Sequence, residues 1–166
     1  MAKSGFHSSV LTLPELLLAL ARERASGKTV AFTNGCFDLL HVGHAMSLEF
    51  ARGQADILVV GVNDDESVRR LKGRGRPLIP LAERMLHLSY YRSVDYVTSF
   101  GEDTAVRLVE VIRPDVYIKG SDYNIAETPE GLTMLAQGGK VVAAPYKPGY
   151  STTRIIAEAK RKGEPS

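Results

Sequence analysis

The chain has 166 residues with a formal net charge of +2 at pH 7, and 44% of its residues are hydrophobic. This length predicts one domain with a sizeable core, while the near-neutral charge and the lack of an apolar run of about 20 residues argue against nucleic-acid and membrane partners. The single cysteine, Cys36, rules out an intrachain disulfide and fits a reducing, cytoplasmic compartment.

An ordinary helix is the first predicted element. The apolar run at residues 16–21 is typical of a signal peptide, but charged residues flank it on both sides. Thr12 and Glu15 have the spacing of a capping box, and Pro14 falls in the first turn, where its missing N–H costs little. We therefore predict a helix over residues 13–25.

A buried strand and a turn follow at residues 30–35. Residues 30–33 form an apolar run with β-branched and aromatic side chains, which predicts a strand in the core. Asn34 and Gly35 come next and predict a turn, because glycine adopts backbone angles that other residues avoid.

Two histidines lie where this strand has ended and a helix begins. His41 and His44 flank Gly43 and precede helix-forming residues at 45–51. A helix N-terminus exposes unpaired backbone N–H groups, its dipole favours negative charge, and Gly43 leaves room for a ligand to approach. The pattern predicts a phosphate site. A metal site is the weaker alternative, because no third ligand at zinc-like spacing accompanies the histidines.

Strands and helices alternate through the rest of the chain. The further predicted strands lie at 57–62, 96–98, 115–118 and 141–143, and the further helices follow residue 67 and lie at 81–92, 104–112, 130–137 and 154–161. Alternation of this kind implies right-handed crossovers between parallel strands. We therefore predict an α/β fold, a Rossmann-like, doubly wound five-stranded parallel sheet with helices on both faces. It occupies a single domain over residues 10–166, after a flexible N-terminus at residues 1–9.

Polar residues collect at the predicted carboxyl ends of the strands, where sheets of this kind bind their ligands. Four segments have this position, namely 34–44, 63–64, 119–122 and 151–153. Because four separate segments converge on one crevice, the sequence predicts an active site there. The basic, glycine-rich stretch at 69–77 lies between two α/β units, so a mobile flap that closes over phosphates is favoured over a merely solvated loop.

The motifs between residues 28 and 161 resemble one enzyme family. They are similar to the cytidylyltransferase-like nucleotidyltransferases, and especially to the adenylyltransferases of D-glycero-D-manno-heptose 1-phosphate, either free-standing or as the C-terminal half of a bifunctional heptose kinase. The matching segments are 33–38, 41–44, 62–63, 70–73, 76–77, 84–85, 94–97, 102–104, 113–115, 119–120, 122–123 and 148–153. Ser121 departs from the glycine common in that family, and helix 13–25 precedes the shared core.

The resemblance implies a reaction in which ATP and heptose 1-phosphate give ADP-heptose, a precursor of lipopolysaccharide or another surface glycan, and pyrophosphate. The attacking phosphate is already anionic at pH 7, so neither a general base nor a protein nucleophile is needed. Mg²⁺ is the implied cofactor, held through the phosphates rather than by protein ligands. The expected partners are ATP and a sugar 1-phosphate, without nucleic acid or membrane, and a homodimer is the base-rate expectation.

The resemblance also implies the site residues. His41, His44 and Lys72 would be catalytic, and the histidines would bind α- and β-phosphate oxygens. The implied nucleotide-binding residues are Thr33, Asn34, Gly35, Cys36, Phe37, Gly43, Lys119, Gly120, Asp122, Ser151, Thr152 and Thr153. The implied sugar-phosphate-binding residues are Asp38, Asn63, Arg76 and Arg84. For Asp38, ordering its loop and touching a metal ion both stay open.

Three other functions compete with this interpretation. Cytidylyltransferases that act on glycerol-3-phosphate usually carry an arginine shortly before their Ser-Thr-Thr segment, whereas residues 145–147 here contain none. A non-catalytic nucleotide sensor is expected to lose a histidine or Lys72, and all are present. A nucleic-acid-binding module is disfavoured by the near-neutral charge.

Overall fold

Six parallel strands form one sheet in the computed structural model, which describes residues 9–120, 124–145 and 152–163. In chain order the strands are β1 (Ser9–Val10), β2 (Val30–Gly35), β3 (Ile57–Asn63), β4 (Tyr96–Phe100), β5 (Val116–Gly120) and β6 (Lys140–Ala144). They lie side by side in the order β1-β4-β3-β2-β5-β6. The predicted parallel α/β sheet is confirmed, with one strand more than the five expected.

The additional strand is β1, at the edge of the sheet. Ser9 pairs with Tyr96 and Val10 with Val97, both in β4. Two residues are too few to produce the alternating pattern by which a strand is recognised in a sequence. The sheet therefore includes Ser9, one residue before the predicted domain boundary.

Helices alternate with these strands in the described residues. They are α1 (Leu13–Ala25), α2 (Val42–Arg52), α3 (Asp65–Lys72), α4 (Leu81–Ser89), α5 (Val106–Ile112), α6 (Pro129–Ala136) and α7 (Thr152–Gly163), with a short 3-10 helix at Ile125–Glu127. The largest differences from prediction are that α4 ends three residues early and that residues 69–72, expected to be part of a loop, end α3. None of the described helices combines the length and the apolar character needed to cross a membrane.

The core forms two layers, one on each face of the sheet. In β3 every residue is buried, and alternate side chains point to opposite faces. Ile57 and Val59 pack with buried residues of α1, α5 and α6, whereas Leu58 and Val60 pack with buried residues of α2 and α4. The sheet is thus covered on both faces, as predicted, which explains the continuous apolar run of this central strand.

Local hydrogen bonds fix the beginnings of several elements. The capping box predicted for α1 is present, since the backbone N–H of Thr12 donates to Glu15 Oε2 at 2.9 Å. At the amino ends of the strands, Asp115 accepts a hydrogen bond from the backbone N–H of Val30 at 2.7 Å. Asp95 accepts one from the backbone N–H of Leu58 at 2.9 Å. The amino edge of the sheet is therefore held by carboxylates, and its carboxyl edge carries the candidate site.

Candidate active site

Strand β2 carries the first part of the site to the edge of the sheet. The predicted turn at Asn34 and Gly35 is wrong, because both residues continue β2 and pair with β3. The backbone of Phe37 adopts a φ of 47°, in the left-handed region that bulky residues rarely occupy. A Cβ atom at Gly35 would lie 3.3 Å from the Phe37 ring, so the glycine allows this ring to approach the strand closely.

The two histidines open α2, as the sequence predicts. His41 is the residue that precedes the helix, and His44 is its third residue. Their ring centroids lie 3.9 Å apart, and the ring of Phe37 packs against His44 with a centroid distance of 5.4 Å. The backbone N–H of His41 points to His44 Nδ1 at 3.4 Å. Because Nδ1 accepts, a neutral His44 ring carries its proton on Nε2 as a hydrogen-bond donor.

Burial keeps both imidazoles neutral at pH 7. It lowers the pKa of His44 to about 4, and the nearby His41 contributes to this effect. Burial also lowers the pKa of His41, whose Nδ1 atom is buried without a hydrogen-bond partner among the described residues. A buried polar atom without a partner is costly, and here it lies beside an open cavity. An incoming anion or its bound water would supply the missing contact.

Cys36 lies in the wall of the cavity directly after β2. Burial raises the pKa of its thiol, against the opposing effect of the cations Lys72, Arg84 and Arg76. A nucleophilic cysteine requires the opposite shift, towards the thiolate. The residue thus has the character of a packed loop side chain and not of a nucleophile.

Asp38 orders the loop that precedes α4. Its carboxylate accepts hydrogen bonds from the Arg76 guanidinium and from the backbone N–H groups of Leu78 and Ile79, the latter two at 2.8 and 2.9 Å. Burial alone would raise the pKa of Asp38, but these three donors outweigh it and hold the pKa below its ordinary value. Asp38 therefore fixes the position of Arg76, which also lines the cavity.

Arg84 lies beneath the site and not in it. The side chain is completely buried, although the sequence implies a contact with the sugar phosphate. Its guanidinium donates to the backbone carbonyls of Cys36, Asn63 and Ile79 and to the carboxylate of Asp65 at 2.7 Å. This one side chain joins the ends of β2 and β3 to α3 and to the loop before α4. Its role is to hold these segments in register.

A second polar group lies on the other side of β2. The hydroxyl group of Tyr117 donates to Asn34 Oδ1 at 2.8 Å, and burial, with a smaller effect from Glu130, raises the pKa of this tyrosine. Glu130 Oε1 accepts a hydrogen bond from the backbone N–H of Ala105 at 2.9 Å and lies 3.9 Å from Lys119 Nζ. Both Glu130 and Lys119 line the same cavity as the histidines.

These elements enclose an open cavity of about 640 Å³ at the carboxyl ends of the strands. Its volume falls within the range of small-molecule sites. The predicted residues that line it are Asn34, Gly35, Cys36, Phe37, Asp38, His41, His44, Asn63, Lys72, Arg76, Lys119, Thr152 and Thr153. Thr152, the first residue of α7, donates its hydroxyl hydrogen to the carbonyl of Leu39 at 3.1 Å, which ties α7 to the histidine loop.

Other predicted residues lie elsewhere. Thr33, Gly43 and Gly120 belong to β2, α2 and β5 but not to the described lining of the cavity. Asp122 and Ser151 lie outside the described residues. The lining also contains residues that the sequence reasoning missed, namely Leu71, Asp103, Thr104, Thr128, Pro129 and Glu130. Asp103 and Thr104 follow the carboxyl end of β4, so the rule used for the other strands finds them when it is applied to this strand as well.

Comparisons with known proteins agree with this architecture. A model of the cytidylyltransferase-like family matches residues 32–158. The chain is 47% identical over 161 residues to the bifunctional protein HldE of Pseudomonas aeruginosa PAO1, which covers 97% of this chain and 34% of that protein. It is 50% identical over 149 residues to the bifunctional protein HldE of Citrifermentans bemidjiense, covering 90% of this chain and 31% of that protein. The chain thus spans about a third of the length of the curated relatives it matches.

A solved structure is also similar. It is the crystal structure of the lipopolysaccharide core biosynthesis protein from Thermoplasma volcanium, with a TM-score of 0.61 and 25% sequence identity. The match covers 73% of this chain and 98% of that chain. Nearly the whole of a known protein is therefore superimposable on the larger part of this fold.

Proposed function

The chain belongs to the cytidylyltransferase-like family, and on that premise we propose that it transfers AMP from ATP to D-glycero-D-manno-heptose 1-phosphate, giving ADP-heptose and pyrophosphate. The observation that carries this proposal is the His41 and His44 pair at the start of α2, which lines one cavity with Lys72 and with Thr152 of α7. The choice of heptose is supported by the motif resemblance. It is also supported by the similarity to the bifunctional protein HldE and to the lipopolysaccharide core biosynthesis protein.

The reaction forms one bond and breaks one. A phosphate oxygen of the sugar 1-phosphate bonds to the α-phosphorus of ATP, while the bond from that phosphorus to the oxygen of the leaving pyrophosphate breaks. The attacking phosphate is anionic at pH 7, so no side chain needs to remove a proton from it. The protein then has two tasks, to bring two mutually repelling anions together and to stabilise the charge that grows on the leaving group.

The residues of the cavity are suited to these tasks. The neutral His44 has an Nε2–H donor for a phosphate oxygen, and His41 has a buried Nδ1 atom that needs a partner. Lys72 ends α3 at the mouth of the cavity, and Arg76 is fixed beside it by Asp38. Thr153 and the N-terminus of α7 supply hydroxyl and backbone donors for the terminal phosphates.

Mg²⁺ is the cofactor we propose, carried by the phosphates of ATP. The lining contains the carboxylates Asp38, Asp103 and Glu130, and each of them already has a cationic neighbour, Arg76, Arg70 and Lys119 respectively. This arrangement fits an ion held mainly by phosphate oxygens. When bound, the ion supplies positive charge that offsets the repulsion between the two substrates.

A pyrophosphate-release assay tests the proposal. Four nucleoside triphosphates are each paired with a panel of sugar 1-phosphates and polyol phosphates, and ATP with heptose 1-phosphate is expected to be the fastest pair. Lys72→Ala is expected to slow this pair, whereas Arg92→Ala, which alters an exposed residue after α4 and outside the cavity lining, leaves it unchanged. Faster turnover of CTP with glycerol-3-phosphate would replace the heptose assignment with that of a cytidylyltransferase. The proposed homodimer is tested by light scattering on the same preparation.

A further inference from the structure

Glu130 is a buried carboxylate in the wall of the cavity that the reaction described above does not use. It is the second residue of α6, and only 2% of its surface is exposed. Its Oε1 atom takes the hydrogen bond from Ala105 and faces Lys119 at 3.9 Å. The part of the chain that the structure describes supplies no hydrogen-bond donor to Oε2.

A structural role alone explains little of this arrangement. One neutral acceptor suffices for the backbone N–H of Ala105, and a buried carboxylate costs more free energy than an amide unless further donors solvate it. An ionised carboxylate has room for about four donors, and here one hydrogen bond and one distant ammonium group are present. The Oε2 atom of Glu130 therefore has acceptor capacity that no donor among the described residues fills, and a ligand with donor groups in the cavity can use it.

The position of Glu130 in the cavity indicates which part of a ligand would lie beside it. His41 and His44 come from α2, which packs on one face of the sheet, whereas Glu130 comes from α6, which packs on the other. The phosphates belong with the histidines. A carboxylate repels phosphate but accepts hydrogen bonds from hydroxyl groups, and Thr104 adds a hydroxyl group to the same wall. This end of the cavity suits the neutral, polyhydroxylated part of a substrate.

We propose that Glu130 accepts hydrogen bonds from one or two hydroxyl groups of a bound sugar and thereby sets both its specificity and its orientation. This inference rests on the proposed function, because both substrates of that reaction carry a sugar, the ribose of ATP and the acceptor. A sugar that lacks the hydroxyl group leaves the carboxylate without its partner and is rejected. The carboxylate disfavours a phosphate group in direct contact with it, so a sugar bound at Glu130 carries its phosphate towards Lys119 or the histidines.

The test removes the hydroxyl group and the carboxylate in turn. Pyrophosphate release is measured for wild type and Glu130→Gln with ATP, 2′-deoxy-ATP and 3′-deoxy-ATP, and with heptose 1-phosphate against singly deoxygenated sugar 1-phosphates. For one analogue, wild type is expected to lose about 10- to 100-fold in kcat/KM, the effect of one hydrogen bond to a charged group. With the full substrate, kcat/KM of Glu130→Gln should be lower than that of wild type by a similar factor. Replacing the full substrate by that analogue should then lower kcat/KM of the variant little further. The analogue that behaves in this way tells whether the sugar is ribose or the acceptor.

Controls separate recognition from folding. Glu127→Gln changes an exposed carboxylate just before α6 and is expected to behave as wild type. Equal sensitivity of wild type and Glu130→Gln to every deoxygenated analogue, or a uniform loss of rate together with a lower melting temperature, would overturn the proposal. So would a wild-type enzyme that is indifferent to every hydroxyl group, a result that needs no variant.

The same design distinguishes this proposal from the proposed function. If wild type turns over no sugar 1-phosphate at all, the heptose reaction is rejected. Calorimetric titration of wild type and Glu130→Gln with ATP, the two deoxygenated nucleotides and the sugar phosphates then still decides on Glu130, because loss of one hydroxyl group must weaken binding to wild type more than binding to the variant. Equal affinities throughout would reject the role of Glu130 as well.

Discussion

The imidazole rings of His41 and His44 face each other across the first turn of α2, with their centroids 3.9 Å apart and their planes 31° from parallel. Two imidazolium ions at this distance would repel each other, so their contact favours the neutral forms, as burial does. A triphosphate beside the two rings has the opposite effect on their protonation, because its negative charge favours the protonated form. The charge state of the pair therefore responds to a bound anion.

The first prediction concerns stability and pH. In the unfolded chain a histidine titrates near 6.5, whereas the pKa of His44 in the folded protein is about 4. Between these values the unfolded state binds more protons, so the free energy of unfolding increases with pH. The stabilisation is complete above about pH 6.5 and is lost as the pH falls towards 4. The melting temperature of wild type should fall more steeply over this window than that of His44→Asn, and parallel curves would contradict the lowered pKa.

The second prediction concerns the role of His44 in the reaction. Negative charge grows on the leaving oxygen as pyrophosphate departs, and a preorganised N–H donor stabilises that charge more than it stabilises bound ATP. His44→Ala should lower kcat by roughly 10²–10³, with little change in KM for ATP. His44→Asn should recover part of the rate, because its amide still donates. Near-normal turnover by the alanine variant would remove His44 from the chemistry.

The third prediction separates two threonines at the start of α7. Both residues line the cavity, and Thr152 also donates its hydroxyl hydrogen to the backbone carbonyl of Leu39. Thr153→Val should raise KM for ATP by about 10-fold, the effect of one hydrogen bond to a charged group, without altering the melting temperature. Thr152→Val should raise this KM and also lower the melting temperature, and Thr152→Ser should restore both. If KM for the sugar phosphate rises equally, the segment is structural.

The fourth prediction concerns Arg84 and stability. Arg84→Met removes the donors to three carbonyl groups and leaves Asp65 without its partner, so the free energy of unfolding should fall by about 3–5 kcal/mol. Arg70→Met is the matched control, because Arg70 also bonds a carboxylate and a carbonyl but is half exposed. Its loss should cost less than about 1 kcal/mol in urea denaturation. Equal losses for the two variants would show that burial of Arg84 does not matter.

The sequence predicts the architecture well because the strongest signals are local. The apolar run at β3 and the capping box at Thr12 each specify their element through neighbouring residues, and the structure contains both. The turn at Asn34 and Gly35 fails for a tertiary reason. Pairing with β3 holds both residues in the strand and overrides the local preference of an Asn-Gly pair.

The sequence predicts a site residue correctly where the residue type indicates its chemistry. It fails where the tertiary contacts of the side chain decide its role. The histidines and Lys72 reach the cavity as expected. Arg84 has the type of a phosphate-binding residue, but its donors are taken up by backbone carbonyls that lie far from it in the sequence. Glu130 is missed for the opposite reason. A glutamate in the first turn of a helix is usually exposed to solvent and interacts favourably with the helix dipole, so its position does not indicate a site. Here the side chain is buried, and its carboxylate accepts a hydrogen bond from Ala105 in the loop after β4.

The aspartates at the amino edge of the sheet have a consequence for how this protein can change. Asp95 and Asp115 bond the starts of β3 and β2, at the end of the strands opposite to the cavity. Enzymes commonly lose activity when they are engineered for thermostability, because strain at the active site is relaxed. Here much of the strand anchoring is remote from the chemistry. Substitutions around these aspartates are therefore a route to a more heat-resistant catalyst, and later changes of substrate preference at the opposite edge would have more mutational tolerance to draw on.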